Sequence, residues 1–91
     1  MATLFTLGEI VIRPRAALLL QNLGMNSASL FLRHVTGDRG DVSDDQRRVN
    51  EEAVREGGRI LSVYGTGSTR LYVITEADRS STLIRSANED G

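Results

Sequence analysis

The chain contains three side chains of the kinds that cleave RNA without a metal ion, namely His34, Glu76 and Arg79. In such a site a carboxylate removes the 2′-hydroxyl proton, an arginine binds the phosphate, and a histidine protonates the leaving oxygen. His34 is the only histidine, so it is the only side chain whose ordinary pKa lies near neutrality. A metal-independent ribonuclease or toxin-like enzyme is therefore one hypothesis. A structural interpretation stays open beside it, in which His34 ends a helix and residues 76–81 form a turn.

Acidic residues cluster between positions 38 and 45, where Asp38, Asp41, Asp44 and Asp45 occur. Carboxylates bind Ca²⁺, but this spacing does not fill the positions of an EF-hand loop. Turn formation and helix capping account for all four residues, so we expect no metal site. The cluster is instead a surface that could meet the arginines of a partner protein.

Composition excludes several classes of protein. There is no cysteine, which excludes disulfides, thiolate metal sites and cysteine nucleophiles. No Walker loop, Rossmann glycine pattern, HExxH or GxSxG motif occurs, and we expect no cofactor. The formal net charge of −1 gives no electrostatic push toward nucleic acid, so direct nucleic-acid binding is not expected. The longest apolar run, residues 16–20, is too short to span a membrane, and the N-terminus lacks a signal-peptide pattern, which indicates a cytoplasmic protein.

Caps and periodicity indicate the elements that must position these residues. Ser43 and Gln46 have the spacing of a capping box, which predicts a helix that starts there and ends at the two glycines of residues 57–58. Residues 59–64 and 70–75 then alternate with period 2, as in the two strands of a hairpin. Asn50 falls on the inward stripe of the helix, and we expect its amide to bond to the preceding loop.

The remaining segments complete a single domain of residues 1–91. Residues 3–13 favour a strand that Pro14 ends, and helices are predicted at residues 15–22 and 28–34. Residues 81–85 favour a last strand, and residues 86–91 a disordered tail. The order β-α-α-α-β-β-β indicates an α+β fold with a mainly antiparallel sheet of three to four strands and two to three helices on one side.

The hairpin strands carry apolar side chains on both faces, so each face is either covered or contacts a partner. Tyr64 and Tyr72 lie on these strands. Pairing of these tyrosines between two copies would give a homodimeric structural protein.

Several segments together carry a resemblance. They are RHxxGDxGD at residues 33–41, Asp45, Asn50, GRILSVY at residues 58–64 and ITEADRS at residues 74–80, with further matches at residues 8–11, Pro14 and Ala17. The chain resembles a family of small bacterial proteins encoded by plasmids, prophages and other mobile elements. It departs from that family at Arg39, where the family usually has a tryptophan, and in a tail that lacks a leucine-proline-glutamate-tyrosine ending. The resemblance implies no particular activity. It implies that the chain is encoded by a mobile element, and small proteins of such elements often counter host defence.

The first functional hypothesis is therefore a non-enzymatic protein-binding module that inhibits a bacterial defence complex of the anti-CRISPR or anti-restriction type. A subunit of that complex is the expected partner. The residues predicted to contact it are charged or aromatic: Asp38, Arg39, Asp41, Asp44, Asp45, Tyr64, Tyr72 and Asp78. The alternatives are the ribonuclease and the homodimer.

Overall fold

A computed structural model describes residues 3–87, in which helices and strands follow the predicted order β-α-α-α-β-β-β. The strands are β1 (Glu9–Ile12), β2 (Ile60–Tyr64), β3 (Leu71–Thr75) and β4 (Ser81–Ser86). The helices are α1 (Pro14–Leu23), α2 (Ser27–Thr36) and α3 (Asp44–Glu56). The α+β class predicted from the sequence is confirmed.

The two ends of the chain differ from the prediction. The first strand begins at Glu9 rather than at residue 3, because Gly8 has a φ of +65° that interrupts the extended backbone. The predicted disordered tail included Ser86, which is instead the last residue of β4 and has a buried side chain. Residues 88–91 of that tail lie outside the described part of the chain.

Within residues 3–87 the strands form a four-stranded sheet in the order β1-β4-β3-β2. β3 pairs antiparallel with both β2 and β4. β1 pairs parallel with β4, from Glu9 opposite Ser81 to Ile12 opposite Ile84. The sheet is therefore mainly antiparallel, as predicted, with one parallel pair at the β1 edge.

The sheet has one face under helices and one face without them. α1 and α2 pack on the first, here called the covered face, and contribute Ala16, Leu20, Leu30 and Phe31 to the core. On β2, β3 and β4 the covered face consists of buried residues: Ile60, Ser62, Tyr64, Leu71, Val73, Thr75, Thr82, Ile84 and Ser86. On β1 the same face carries Ile10 and Ile12, which are exposed. The opposite face, here called the open face, includes five half-buried residues: Val11, Leu61, Tyr72, Ile74 and Leu83. Val63 lies on the same face next to the β2 edge and is buried.

α3 begins at the predicted cap, where Ser43 Oγ accepts from the Gln46 N–H at 3.1 Å. The second half of the predicted capping box is absent, because the Gln46 side chain donates to Asn50 Oδ1 at 3.1 Å instead. Gly57 has a φ of +90° just after the last helical residue, a conformation that favours glycine.

The outer edge of β2 is closed by α3 and by the loop before it. Asn50 Oδ1 accepts from the Leu61 N–H at 3.0 Å, and Asn50 Nδ2 donates to the Leu61 carbonyl at 2.7 Å. Further along, the Val63 N–H donates to the Arg39 carbonyl at 3.0 Å, and the Val63 carbonyl accepts from the Asp41 N–H at 2.7 Å. The prediction for Asn50 is thus corrected, because its amide bonds to the edge strand and not to the loop.

Candidate functional site

His34 projects from α2 into the covered face and is 0% exposed. Its Nδ1 lies 2.5 Å from Ser62 Oγ, and its Nε2 lies 2.9 Å from Thr75 Oγ1. Thr75 Oγ1 lies 2.7 Å from Thr82 Oγ1, and the Thr82 hydroxyl donates to the Leu7 carbonyl at 2.7 Å. A continuous chain of hydrogen bonds therefore joins α2 to β2, β3 and β4 inside the core.

The Leu7 carbonyl at the end of this chain determines the direction of the protons from Thr82 back to His34 Nε2, because a carbonyl oxygen only accepts. Thr82 donates to Leu7, so Thr75 must donate to Thr82 and accept from His34 Nε2–H. His34 therefore carries a proton on Nε2. When the ring is neutral, the remaining nitrogen, Nδ1, accepts from the Ser62 hydroxyl.

Burial lowers the pKa of His34 to about 3, and the charge of Arg39 adds to the effect. An imidazole with this pKa is uncharged at neutral pH and does not supply the general acid that the ribonuclease hypothesis requires. Ser62 and His34 have the hydroxyl–imidazole geometry of a nucleophile and its base, a pair that sequence reasoning missed because 28 positions separate them. Both side chains are fully buried, so no substrate reaches the hydroxyl.

Glu76 and Arg79, the other candidate catalytic residues, lie away from the His34 side chain. Glu76 follows β3 on the open face, where its Oε2 lies 3.2 Å from Arg59 Nε. Arg79 lies at the end of α3, where its Nη2 adds a second donor at 2.8 Å to the Ala53 carbonyl that already accepts from the Gly57 N–H, and its Nη1 donates to the Gly58 carbonyl at 2.6 Å. The three candidate catalytic side chains therefore do not form one site. His34 lies in the core, Glu76 on the open face and Arg79 at the end of α3.

Two residues predicted to contact a partner, Arg39 and Tyr64, are buried, which corrects that prediction. The Tyr64 hydroxyl donates to the Asp38 carbonyl at 2.6 Å. Arg39 Nη1 donates to the His34 carbonyl, and the guanidinium lies 5.5 Å from the Phe5 ring. Both side chains therefore support the loop between α2 and α3 from inside. Because Tyr64 is buried in the covered face, it cannot pair with a tyrosine of a second copy.

The acidic residues of this loop and of the first turn of α3 differ in their surroundings. Asp38 Oδ2 accepts from Arg33 Nε at 2.8 Å, and this hydrogen bond lowers the pKa of Asp38. Asp45 pairs with Arg48 in the same helix. Asp41 and Asp44 are exposed and form no salt bridge within residues 3–87. Their carboxylates are therefore the ones available to a partner.

Asp78, also predicted to contact a partner, lies in the turn between β3 and β4, near the C-terminal end of α3. A hydrogen bond from the Ser80 side chain, followed by one from the Ser80 backbone, lowers the pKa of Asp78. Asp44 lies at the opposite end of the same helix. Asp78 therefore shapes its own turn and is separate from the acidic residues of the α2–α3 loop.

A cleft of about 830 Å³ lies on the open face. Its floor includes most of the open face, and α3 supplies one wall through Gln46 and Val49. Val49 is 54% exposed although it is apolar. A second depression of about 260 Å³ continues the cleft to Val11 and Arg13 at the β1 edge. The cleft thus crosses all four strands of the described sheet.

Charged groups surround the cleft. Glu76 pairs with Arg59 on one side, and the Arg85 guanidinium lies 4.7 Å from the centre of the Tyr72 ring on the floor. At the Tyr72 end, a depression of about 270 Å³ connects the cleft to Asp41 and the start of α3. Asp41 therefore stands at the border of the cleft together with Arg70, and Asp44 lies in the adjoining first turn of α3.

Comparison with protein-family models, with curated proteins and with solved structures found no match. No helix within residues 3–87 is long and apolar enough to cross a membrane. In the same part of the chain, no three His, Asp or Glu side chains are grouped as the ligands of a metal ion. The cleft on the open face is the candidate functional site.

Proposed function

We propose that this protein is a non-enzymatic binding protein whose open face docks on another protein. The observation that carries the proposal is the cleft, in which Leu61, Ile74 and Leu83 are only half-buried because no helix covers them. A contiguous apolar surface with a polar border is typical of protein–protein interaction sites. The dispersed positions of His34 and the other candidate catalytic residues favour binding over catalysis.

A protein partner fits this cleft better than a nucleic acid does. Sheets that bind single-stranded RNA stack bases on several exposed aromatic rings. The cleft lining contains one ring, that of Tyr72, and Arg85 lies over it. The aliphatic side chains of the floor suit an apolar protein surface.

Two exposed carboxylates near the cleft indicate which side chains the partner presents. Asp41 and Asp44 are exposed carboxylates without a salt bridge among the described residues, so they are complementary to basic side chains. A complex that binds nucleic acid presents such basic side chains in its groove. The resemblance to proteins of plasmids and prophages supports one class of these complexes, a bacterial defence complex of the CRISPR or restriction type. The protein would inhibit it by occupying the basic groove.

Phage plating tests the inhibitor proposal directly. The protein is expressed in a set of bacterial strains, each with a single active CRISPR or restriction system. Plating should rise by orders of magnitude in the strain whose system is inhibited, and the purified protein should co-elute with that complex. Absence of both protection and co-elution across the set contradicts the inhibitor proposal.

Val49→Arg tests whether the cleft is the docking surface. Because Val49 is 54% exposed, the new charge should abolish binding without changing the midpoint of thermal unfolding. Leu32→Arg is the matched control, since Leu32 is 51% exposed on α2 on the other side of the sheet. Equal effects of the two substitutions on binding would remove the open face from the proposal.

Charge reversal of Asp41 and Asp44 together tests the basic partner. Asp38 is left unchanged, because its carboxylate forms a salt bridge with Arg33. Binding should be lost in the double variant and retained in Asp78→Arg, the control at the far end of α3. Tight binding of a fluorescent RNA or DNA oligonucleotide to the wild-type protein would instead assign the open face to nucleic acid.

A further inference from the structure

The two edges of the sheet differ in whether their outward backbone groups have hydrogen-bond partners. At the β2 edge, the N–H and carbonyl groups of Leu61 and Val63 all have partners. At the β1 edge, the Glu9 N–H donates to the Ser80 carbonyl just before β4, and the Arg13 N–H donates to the Ile84 carbonyl, at 3.0 Å each. Because alternate residues of a strand face opposite sides, the N–H and carbonyl groups of Ile10 and Ile12 point outward. Within residues 3–87 these outward groups have no hydrogen-bond partner.

The side chains of β1 are as exposed as its backbone. Ile10 is 44% exposed and Ile12 is 36% exposed, although both are large and apolar. Glu9 and Arg13 flank them, are exposed, and form no salt bridge in the described part of the chain. Edge strands normally avoid apolar side chains next to free backbone groups, because a second strand adds there readily. The β1 edge therefore has the properties of an unfilled strand-pairing site.

The sequence of β1 is complementary to itself in one orientation. The segment from Glu9 to Arg13 has an acidic residue at one end, a basic residue at the other and three apolar residues between them. When two copies of it pair antiparallel, each acidic end therefore lies opposite a basic end. The register that pairs Ile10 with Ile12 of the second strand also pairs Glu9 with Arg13, and it places the two Val11 residues opposite each other. In that register the Ile10–Ile12 pairs exchange N–H···O=C bonds, because their backbone groups are the outward ones.

We propose that β1 of one copy pairs antiparallel with β1 of a second copy to form a symmetric dimer with a continuous sheet. Among the antiparallel registers that align the outward groups, those that pair Ile10 with Ile10 or Ile12 with Ile12 leave Glu9 and Arg13 unmatched. Cross-strand pairs of opposite charge favour a register, and like charges oppose it. Charge complementarity therefore selects a second copy as the occupant of this edge. The dimer does not depend on the partner of the open face.

Charge exchange tests both the dimer and its register. The wild-type protein should sediment as a dimer at high micromolar concentration. Glu9→Arg places two arginines opposite each other at both ends of the interface, and Arg13→Glu places two glutamates there, so each variant alone should dissociate at least about tenfold more readily. An equimolar mixture of the two variants restores opposite charges at both ends and should form a heterodimer. The double variant Glu9→Arg/Arg13→Glu should dimerise as the wild type does.

Disulfide trapping provides a second measurement that is independent of charge. Val11→Cys introduces the only cysteine of the chain. Paired residues at such a non-hydrogen-bonded position are about 4.5 Å apart between Cα atoms, within reach of a disulfide. Val11→Cys should cross-link rapidly under mild oxidation. Leu83→Cys, its neighbour on β4 and equally half-buried, is the control that should not cross-link.

Sedimentation of the wild-type protein as a monomer at high micromolar concentration would overturn the proposal. So would a dimer that neither charge variant weakens, or one in which Leu83→Cys cross-links as fast as Val11→Cys. Those results would place the contact of the two copies on another surface. Circular dichroism of each variant establishes that it is folded. Both charged residues are exposed, so their exchange leaves the core intact.

Discussion

Acidification from about pH 7.5 to pH 5 should destabilise this protein, because His34 is buried as a neutral imidazole. Burial lowers the pKa of His34 in the folded chain to about 3, whereas an unfolded histidine has a pKa of about 6.5. Between these values only the unfolded chain takes up the proton. The stabilisation by neutral His34 is complete above the unfolded pKa and is lost as the pH falls toward the folded one.

The size of the effect follows from proton linkage. One proton of difference changes the free energy of unfolding by about 1.4 kcal/mol per pH unit, so the loss between about pH 7.5 and pH 5 is about 2 kcal/mol. Asp38 and Asp78 have lowered pKa values, and their contribution is lost only at more acidic pH. The interval above about pH 5 therefore reports on His34.

Urea unfolding monitored by circular dichroism at a series of pH values measures this loss. The His34→Gln variant is the control: it should be less stable overall, yet its stability should not change over the same interval. NMR of the wild-type imidazole should show a proton on Nε2 and no titration near neutrality. An unchanged urea midpoint between pH 7.5 and pH 5, or an imidazole that titrates near its ordinary pKa, would refute the neutral buried histidine.

Three further substitutions test contacts that hold the candidate site in place. Asn50→Leu leaves the outer edge of β2 without its amide partner and should cost about 2–4 kcal/mol of unfolding free energy. Gly40→Ala adds a Cβ that meets a carbonyl oxygen of β2 at a φ of +70°, and should cost more than about 3 kcal/mol. Gly24→Ala is its control, because Gly24 has a φ of +66° but open space around it, and it should cost only about 1 kcal/mol. Arg79→Met removes the bonds that cap α3 and should cost about 1–2 kcal/mol, which Arg79→Lys should not recover.

All of these losses are measured by urea unfolding at neutral pH. Equal losses for Gly40→Ala and Gly24→Ala would show that backbone conformation, rather than the close approach of β2, governs Gly40. Recovery of stability in Arg79→Lys would show that charge alone, rather than the geometry of the guanidinium, stabilises the end of α3.

Signals that act over a few residues were visible in the sequence. The Ser43 cap set the start of α3, and the period-2 alternation identified the two strands of the hairpin. Asn50 was correctly placed on the inward side of α3. In each case the physical cause is local, either a cap hydrogen bond or the period of a helix or strand.

Features that depend on distant contacts were not visible in the sequence. Both faces of the hairpin are apolar, so its sequence does not indicate that Tyr64 lies under the helices and Tyr72 outside them. The loop that contains Arg39 reads as exposed, yet its backbone bonds to β2, and this contact draws the side chain into the core. The parallel pairing of β1 with β4 joins residues about seventy positions apart, and no local pattern specifies it.

The closed edge of β2 also limits how large an assembly this protein can form. A sheet with two open edges can add copies at both ends without limit, which is how strand addition leads to fibrils. Here only one edge has free backbone groups among the described strands, so strand addition stops after a single step. Two separate contacts keep the β2 edge closed, the Asn50 amide at Leu61 and the loop backbone at Val63. Loss of the Asn50 amide alone would free the backbone groups of Leu61, and the loop would still block the addition of a further strand at Val63.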